Sequence, residues 1–514
     1  MITKTKISLA LVAMALSCMA ATAQIENLPM TEGKFAPSDE SLKQYEYPEW
    51  FADAKFGIWS HWGPQSATTQ GNWSARTMYL QDNVNRKTGK STGKPHPAYT
   101  SHVKLFGHPS EVGFKDIAQG WKAERFNPDE LMKLYKRVGA KYFVSMGVHH
   151  DNFSLWATKL NRWNSVNMGP KRDIVGDWQQ AARREGLKFG VSEHLGASYT
   201  WFQTARGADK TGPKAGVPYD GANPEYEDFY HAKAADDDTG WYTNNPIWQR
   251  DWYDRIKELV DMYQPDLLYT DGSVVFDNEV GRTLIAHYYN QDLEHNKRNT
   301  VVYACKEDAD GRFVRDLERG IIEDIAEDPW QTDTSIGNWF YKEGQGYASS
   351  VELLQMLVDI VSKNGNLLLN VVQTPEGDLE ADVVKTLEEM ATWMEINGEA
   401  IYGTRPWVIF GQGPSLSKDQ GKGYAEGIKD IRSYEAGDLR FTTKGKKLYI
   451  FAMEPPREDL VIEAMPKTSR VKSVRVLGGE SKLSFEQGAS GKFTLKLPSQ
   501  MPDERIVVFE VTLK

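Results

Sequence analysis

Short apolar segments alternate with amphipathic ones from residue 55 to residue 397, and this alternation is the feature that most constrains the fold. Six apolar runs have the length and composition of buried parallel strands: residues 55–59, 141–148, 187–191, 266–269, 300–305 and 366–371. Around them, apolar residues recur at helical spacing over residues 127–138, 173–185, 246–263, 279–295, 351–363 and 382–397. Strands and helices in turn predict a parallel sheet, which is either a closed barrel or an open, doubly wound sheet.

Polar residues at strand ends separate these two folds. Five of them stand at or just past the C-terminal end of a predicted strand: His61, His149, His150, His194 and Asp271. A (β/α)8 barrel gathers its active site at that end. A doubly wound sheet would need a glycine-rich phosphate turn after its first strand, and no G-x-G-x-x-G occurs there. The sequence therefore predicts a catalytic (β/α)8 (TIM) barrel over residues 24–400.

The pattern changes after about residue 404, where short segments of alternating apolar and polar residues replace the helices. These segments are residues 447–453, 459–464, 471–477, 492–497 and 505–513. Their spacing and turn residues predict an antiparallel β-sandwich domain over residues 401–514. Because this region has no cluster of histidines, cysteines or paired acids, we expect it to be a structural partner of the barrel.

The first 23 residues have the pattern of a secretory signal peptide. Lys4 and Lys6 precede an apolar run, and small residues lead up to Ala23. Cleavage after Ala23 would leave 491 residues of an exported protein, periplasmic or extracellular, with no further membrane span expected. A weak resemblance to a lipobox before Cys18 leaves anchoring as a lipoprotein as the alternative.

Charge and cysteine content limit the class of protein further. The net charge of −10 becomes −12 without the leader, because the leader contains two lysines and no acid. Such an anionic chain lacks the basic footprint that nucleic-acid binding requires. Cys305 is the one cysteine outside the leader, so the exported protein can form no internal disulfide and depends on its core.

The element Thr270-Asp271-Gly272 is the most specific candidate for chemistry. Its strand ends in an acid followed by glycine, so Asp271 is expected to project into the barrel mouth. Glycosidic cleavage needs a second carboxyl group. The acidic stretch over residues 316–328 supplies candidates, and spacing alone does not choose among Glu318, Glu323 and Glu327.

The strand-end histidines are compatible with two chemistries. Together with Asp271 they could bind zinc. However, the first strand lacks His-x-His, and the chain contains no H-E-x-x-H and no cysteine cluster. Histidines can equally hydrogen-bond sugar hydroxyls, which suits a chain with 16 Trp, 23 Tyr and 20 Phe. We therefore expect neither metal nor cofactor, and keep a metallohydrolase as the alternative.

An ordered set of motifs resembles the α-L-fucosidases of glycoside hydrolase family 29. The motifs span roughly residues 49–403, at residues 50–63, 141–156, 169–173, 270–272 and 362–370, and include Gly57-Ile58-Trp59-Ser60-His61-Trp62-Gly63 and His149-His150-Asp151-Asn152. The resemblance implies a barrel followed by a β-sandwich. It also implies retaining, metal-free hydrolysis of terminal α-L-fucose from a fucosylated oligosaccharide or polysaccharide.

The resemblance also assigns roles to residues. Asp271 matches the nucleophile. Lys306 occupies a strand end where the family often has a substrate-binding arginine, and Glu318 is placed as the acid/base because it follows Lys306 at about the distance expected from the family. Glu323 and Glu327 remain alternatives for the acid/base. Substrate-binding roles fall on His61, Trp73, His149, His150, His194 and Lys306.

Three positions depart from the family pattern. Asn72 and Gln331 stand where the family commonly has glutamate, and His194 stands near a family tyrosine that it could replace. Because these positions surround the sugar in the family, a related sugar such as α-L-galactose, or fucose binding without catalysis, is the alternative. The sequence gives no indication of oligomeric state.

Overall fold

The computed structural model describes residue 25 and residues 27–85, 90–417, 433–463, 465–466, 468–479, 482–488 and 492–514. The predicted signal peptide and Cys18 lie outside the described residues.

Eight parallel strands form the central sheet of the protein. They are β1 (Phe56–Ser60), β2 (Tyr142–Val148), β3 (Lys188–Glu193), β4 (Leu267–Thr270), β5 (Val302–Cys305), β6 (Val314–Arg315), β7 (Trp330–Ser335) and β8 (Gly365–Asn370). Their order is β6-β5-β4-β3-β2-β1-β8-β7. A parallel bridge between Asp316 and Gln331 joins β6 to β7 and completes the ring. The predicted barrel is therefore confirmed.

Helices connect and surround these strands. They are α1 (Asp39–Leu42), α2 (Glu49–Ala54), α3 (Ser74–Thr77), α4 (Pro97–Leu105), α5 (Phe114–Gly120), α6 (Pro128–Val138), α7 (Ile174–Glu185), α8 (Ser198–Trp201), α9 (Glu227–Tyr230), α10 (Pro246–Tyr263), α11 (Glu279–Asn296), α12 (Ser350–Ser362) and α13 (Ala381–Asn397). Local sequence sets their ends: Asn127 caps α6 by accepting a hydrogen bond from the Glu130 amide, and Gly139 ends it with a φ of 106°. No helix in the described part of the chain has the length and hydrophobicity of a membrane span.

The sequence predicts six of the eight barrel strands and misses β6 and β7. β6 has only two residues, too few for a periodic signal. β7 reads Trp-Gln-Thr-Asp-Thr-Ser, yet every residue in it is buried. Its polar side chains are tolerated because tyrosines donate to them inside the barrel: Tyr142 to Gln331 and Tyr269 to Asp333, each at 2.9 Å.

The C-terminal region forms two antiparallel sheets. Its strands are β9 (Arg405–Gln412), β10 (Leu439–Lys444), β11 (Lys447–Ala452), β12 (Leu460–Ile462), β13 (Val471–Val476), β14 (Lys482–Leu483), β15 (Phe485–Gln487), β16 (Phe493–Leu495) and β17 (Val507–Leu513). The larger sheet has the order β14-β13-β17-β11-β10-β9, and the smaller one β12-β16-β15. A separate apolar core contains side chains of both sheets, including Phe441, Ile450 and Phe493, so the predicted β-sandwich is confirmed.

A buried ionic cluster ties the barrel to the sandwich. Asp359 on α12 accepts a hydrogen bond from Arg440 on β10 at 2.6 Å and another from Lys363 at 2.8 Å. The side chains of all three residues are at most 3% exposed. Asp359 is the carboxylate that pairs with both cations, and its bond to Arg440 joins the barrel helix α12 to the sandwich strand β10.

Candidate active site

A cavity of about 180 Å³ opens at the C-terminal ends of the barrel strands. It is lined by Trp59, His61, Asn72, Trp73, His149, His194, Trp241, Asp271, Gly272, Lys306, Glu318, Asp333 and Trp339. Most of the polar members follow directly on a barrel strand. The barrel thus brings together residues that are far apart in sequence, at the end where such folds carry their active sites.

Asp271 occupies the position that its motif predicts. It is the first residue after β4, and its backbone N–H donates to the carbonyl of Glu193 at 3.2 Å. The following residue, Gly272, has a φ of 112°, and a Cβ atom there would lie 2.5 Å from the hydroxyl oxygen of Tyr242. Only glycine fits this turn, which aims the Asp271 carboxylate into the cavity.

Three basic groups surround the Asp271 carboxylate. Lys306 donates to Oδ1, while Nδ1 of His194 and Nε2 of His150 lie 3.0 and 3.2 Å from Oδ2. Burial acts to raise the pKa of Asp271, but the positive charge of Lys306 and the neighbouring His194 hold that pKa well below its usual range. The surroundings of Asp271 therefore favour its ionised form, which is the form that a nucleophile needs.

Glu318 is the second carboxyl group in the cavity. It lies in the loop after β6, and its Oε2 accepts a hydrogen bond from Lys306 Nζ at 2.5 Å. Burial raises the pKa of Glu318, Lys306 opposes this rise, and the charges of Asp333 and Asp271 add to it. The alternatives Glu323 and Glu327 are exposed and do not line the cavity, so the geometry favours Glu318.

Three histidines line the other side of the cavity. Burial lowers the pKa of His61 and of His149 well below the usual value, and lowers that of His194 to about 4. Neutral imidazoles can both donate to and accept from sugar hydroxyls. The same rings could hold a metal ion, because one nitrogen of each lies within 4.8 Å of the others, and His150, His194 and Asp271 form a similar group.

His150 differs from the other predicted sugar ligands in its position. It is 1% exposed and is not among the cavity-lining residues. Its Nδ1 lies 2.6 Å from the carbonyl oxygen of His194, and its Nε2 faces Asp271. This geometry supports a role in orienting Asp271.

Tryptophans provide the apolar surface of the cavity. The sequence predicts Trp73 there, and Trp73 is in the lining with a left-handed φ of 60°, a rare conformation for a bulky residue. Trp59, Trp241 and Trp339 are lining residues that the sequence reasoning missed. The Trp59 indole could have been found at the end of β1, whereas Trp241 lies in a loop with no strand-end signal.

Asp333 is the other cavity residue that the sequence reasoning missed. It is fully buried on β7, and Tyr269 donates to its Oδ2 at 2.9 Å. Burial raises its pKa. Burial, and after it the charge of Asp333, raises the pKa of the neighbouring Asp316 well above its usual value, which favours the protonated form of Asp316.

The three departures from the family pattern lie in different places. Asn72 and His194 line the cavity. Gln331 does not: it is buried inside the barrel, accepting from Tyr142 and donating to Asp316, each at 2.9 Å. The expectation that Gln331 surrounds the sugar is therefore corrected, because an inward side chain on β7 at this level fills the barrel interior below the cavity.

Comparison with known proteins identifies the family. A family model described as Alpha-L-fucosidase matches residues 22–399. The chain belongs to this family. Plasma alpha-L-fucosidase of Homo sapiens is 28% identical over 391 residues, covering 73% of each chain, and tissue alpha-L-fucosidase of Mus musculus is 26% identical over 494 residues, covering 94% of each chain.

Solved structures of the alpha-L-fucosidase family agree with this assignment. The crystal structure of Thermotoga maritima alpha-fucosidase superposes with a TM-score of 0.72 at 27% identity, covering 93% of this chain and 100% of the other. The same enzyme in complex with fucose gives a TM-score of 0.71 at 27% identity. The resemblance seen in the sequence is confirmed: the protein is a glycoside hydrolase of the alpha-L-fucosidase family, with a barrel and a β-sandwich.

Proposed function

We propose that the protein releases terminal α-L-fucose from fucosylated glycans by double displacement, with Asp271 as nucleophile and Glu318 as acid/base. The single observation that carries this proposal is that Lys306 donates hydrogen bonds to two carboxyl groups, those of Asp271 and Glu318, whose pKa values shift in opposite directions. The lowered pKa favours the ionised form of Asp271, and the raised pKa favours the protonated form of Glu318. Two carboxyl groups in different environments are the usual acid and nucleophile of a glycosidase.

The spacing of the two carboxyl groups favours retention of configuration. Glu318 Oε2 is 2.5 Å from Lys306 Nζ, and Asp271 Oδ1 is hydrogen-bonded to the same nitrogen. At ordinary hydrogen-bond lengths these oxygens are no more than about 6 Å apart. Retaining glycosidases place their carboxyl groups about 5–5.5 Å apart and inverting ones about 6.5–9.5 Å, because the latter must admit a water.

The reaction then proceeds in two balanced steps. Asp271 attacks the anomeric carbon while Glu318 gives its proton to the glycosidic oxygen, so the leaving glycan departs with a free hydroxyl and a fucosyl ester forms on Asp271. Glu318, now ionised, takes a proton from water, whose oxygen attacks the same carbon. Fucose leaves, and Asp271 is again a carboxylate.

The remaining cavity residues bind and orient the sugar. His61, His149 and His194 line the cavity and would hydrogen-bond the sugar hydroxyls, and Trp73 would supply apolar surface for the methyl group of fucose. Lys306 supplies a positive charge between the two reacting carboxyl groups. His150 does not contact the sugar in this proposal but orients the carboxylate of Asp271.

We also propose that the protein is exported, to the periplasm or the extracellular space, with its leader cleaved after Ala23. The support is the charged, apolar and small-residue pattern of residues 1–23. Mass analysis of the exported protein should find Gln24 at the N-terminus. A lipid-modified Cys18 or an uncleaved leader would contradict this.

Parallel assays with aryl α-L-fucoside and aryl α-L-galactoside test the activity. We expect hydrolysis of the fucoside with the higher kcat/KM. Preference for the galactoside would reassign the sugar, and calorimetric binding of fucose with no release from any fucoside would identify a binding protein.

A further inference from the structure

A second and larger cavity adjoins the sugar cavity. Its volume is about 660 Å³, more than three times that of the sugar cavity, and its lining shares Trp73 and Trp241 with it. A glycan whose terminal sugar fills the smaller cavity can therefore extend past these two side chains into the larger one. We call the larger cavity the outer groove.

The boundary between the two cavities is built from tryptophan rings. Trp73 and Trp241 stack with centroids 6.0 Å apart and an interplanar angle of 23°, and Trp201 meets Trp73 edge-on at 6.0 Å. Trp241 is nevertheless 41% exposed. An indole held against a second ring and open to solvent offers a flat surface on which the C–H face of a pyranose can pack.

The outer groove is a preformed feature held by hydrogen bonds. Gln203 donates to the carbonyl of Ala232 at 3.1 Å and accepts from the amide of Ala234 at 3.1 Å. Thr200 donates to the carbonyl of Gly240 at 2.8 Å. These contacts fix both ends of the loop over residues 232–241, which forms one wall of the groove.

The rest of the groove lining is polar. Hydrogen-bond donors come from three basic side chains, Arg76, Arg206 and Lys233. Hydrogen-bond acceptors come from the carboxylate of Asp238. Arg206 is anchored by hydrogen bonds to the carbonyls of Gly221 and His231, at 3.2 and 2.8 Å. Aromatic surface beside fixed polar side chains is the combination that recognises sugars with many hydroxyl groups, whereas a lipid or aryl group would call for a continuous apolar wall.

We propose that the outer groove is a leaving-group subsite for an oligosaccharide of two or more sugar residues, the first of which packs on Trp241. The inference rests on the proposed function and adds its substrate class: fucose carried on an extended glycan rather than on a single sugar or an aryl group. Binding energy from these remote sugars is then available to the reaction at the anomeric carbon.

Ala235→Trp tests the proposal by filling the groove at a residue remote from the catalytic groups. Ala235 is exposed and lines the outer groove but not the sugar cavity. The substrates carry fucose on a leaving group that ranges from one sugar residue to a tetrasaccharide, and each length is tested in several linkages. For the wild type, kcat/KM should rise with the length of the leaving group. In Ala235→Trp we expect kcat/KM for the tetrasaccharide to fall at least about tenfold, with the aryl α-L-fucoside unaffected.

Ala232→Trp is the matched control, because Ala232 is exposed in the same loop and outside the groove lining. It should behave as wild type on every substrate. A wild-type kcat/KM that does not rise with leaving-group length for any linkage would overturn the subsite, and so would equal losses in both variants. Failure of the wild type to hydrolyse even the aryl α-L-fucoside would instead overturn the proposed function.

Discussion

The Lys306 ammonium lies 2.5 Å from the Glu318 carboxyl group, and it also pairs with Asp271. One positive charge therefore contacts both carboxyl groups, although the proposed mechanism needs Asp271 ionised and Glu318 protonated. It keeps Asp271 ionised, while burial and the neighbouring acids still raise the pKa of Glu318. An acid/base cycle near neutral pH depends on this asymmetry.

Replacement of Lys306 by methionine should damage the nucleophile through its charge. Without the ammonium, burial raises the pKa of Asp271, so the acidic limb of kcat/KM should move to higher pH and the plateau should fall about 100-fold. The pH profile on aryl α-L-fucoside measures both effects. Lys306→Arg keeps the positive charge, so its kcat/KM should fall less than that of Lys306→Met. An acidic limb that does not shift in Lys306→Met would contradict the role of Lys306 in keeping Asp271 ionised.

The wild-type pH profile should have a broad plateau. Activity falls at low pH when Asp271 gains a proton, and the lowered pKa of Asp271 places this limb well into the acidic range. It falls at high pH when Glu318 loses its proton, and the raised pKa of Glu318 extends the plateau upward. A profile with its acidic limb near neutrality would argue against an ionised, Lys306-paired Asp271.

Glu318→Ala should discriminate between leaving groups. We expect a loss of about 100-fold to 10,000-fold on natural glycosides, which need protonation, and a much smaller loss in the first step on aryl fucosides with acidic phenols. The alkaline limb should disappear with it. Glu323→Ala and Glu327→Ala serve as controls, and a larger loss in either of them than in Glu318→Ala would move the acid/base role.

Chelation separates hydrolysis by carboxyl groups from hydrolysis by a metal ion. His61, His149 and His194 could hold either a metal ion or the sugar hydroxyls, so the two mechanisms make opposite predictions. Prolonged treatment with a strong chelator should leave kcat/KM unchanged. Loss of activity that returns on adding Zn²⁺ would favour a metallohydrolase.

Asp359→Ala should weaken the contact between the barrel and the sandwich and so lower the stability of the protein. It removes the buried carboxylate that pairs with both Arg440 and Lys363, so the free energy of unfolding in urea should drop by about 3–5 kcal/mol. Lys385→Ala is the control, because its pair with Glu389 at 4.0 Å is exposed and should be worth at most about 1 kcal/mol. Equal small changes in both variants would show that the buried cluster is not stabilising.

The fold was predictable wherever burial coincided with apolar sequence. β2 is apolar except for one serine and β8 contains three consecutive leucines, whereas β7 is mostly polar and still buried. Tertiary partners such as Tyr269 make the burial of β7 possible. Five apolar segments of the sequence predict the sandwich and correspond to β11, β12, β13, β16 and β17, whereas β9, β10, β14 and β15 are not predicted. β9 is largely half-buried or exposed and carries a weak pattern.

The candidate site was predictable where function lies at a recognised strand end. Asp271 and the histidines stand after predicted strands, so topology alone brings them together. Asp333 was missed with its strand, and Trp241 lies in a loop whose approach to Trp73 is a property of the tertiary structure. Sequence spacing could not choose Glu318 over Glu327, because the choice depends on which side chain reaches Lys306.

Trapping the glycosyl-enzyme tests the central claim most directly. A 2-deoxy-2-fluoro-α-L-fucosyl donor with a good leaving group slows hydrolysis of the intermediate, so peptide mass mapping can locate the covalently bound sugar. The account predicts one fluorofucosyl group, attached to Asp271 and absent in Asp271→Ala. Attachment to another residue, or no adduct in an enzyme that still turns over aryl α-L-fucoside, would contradict it.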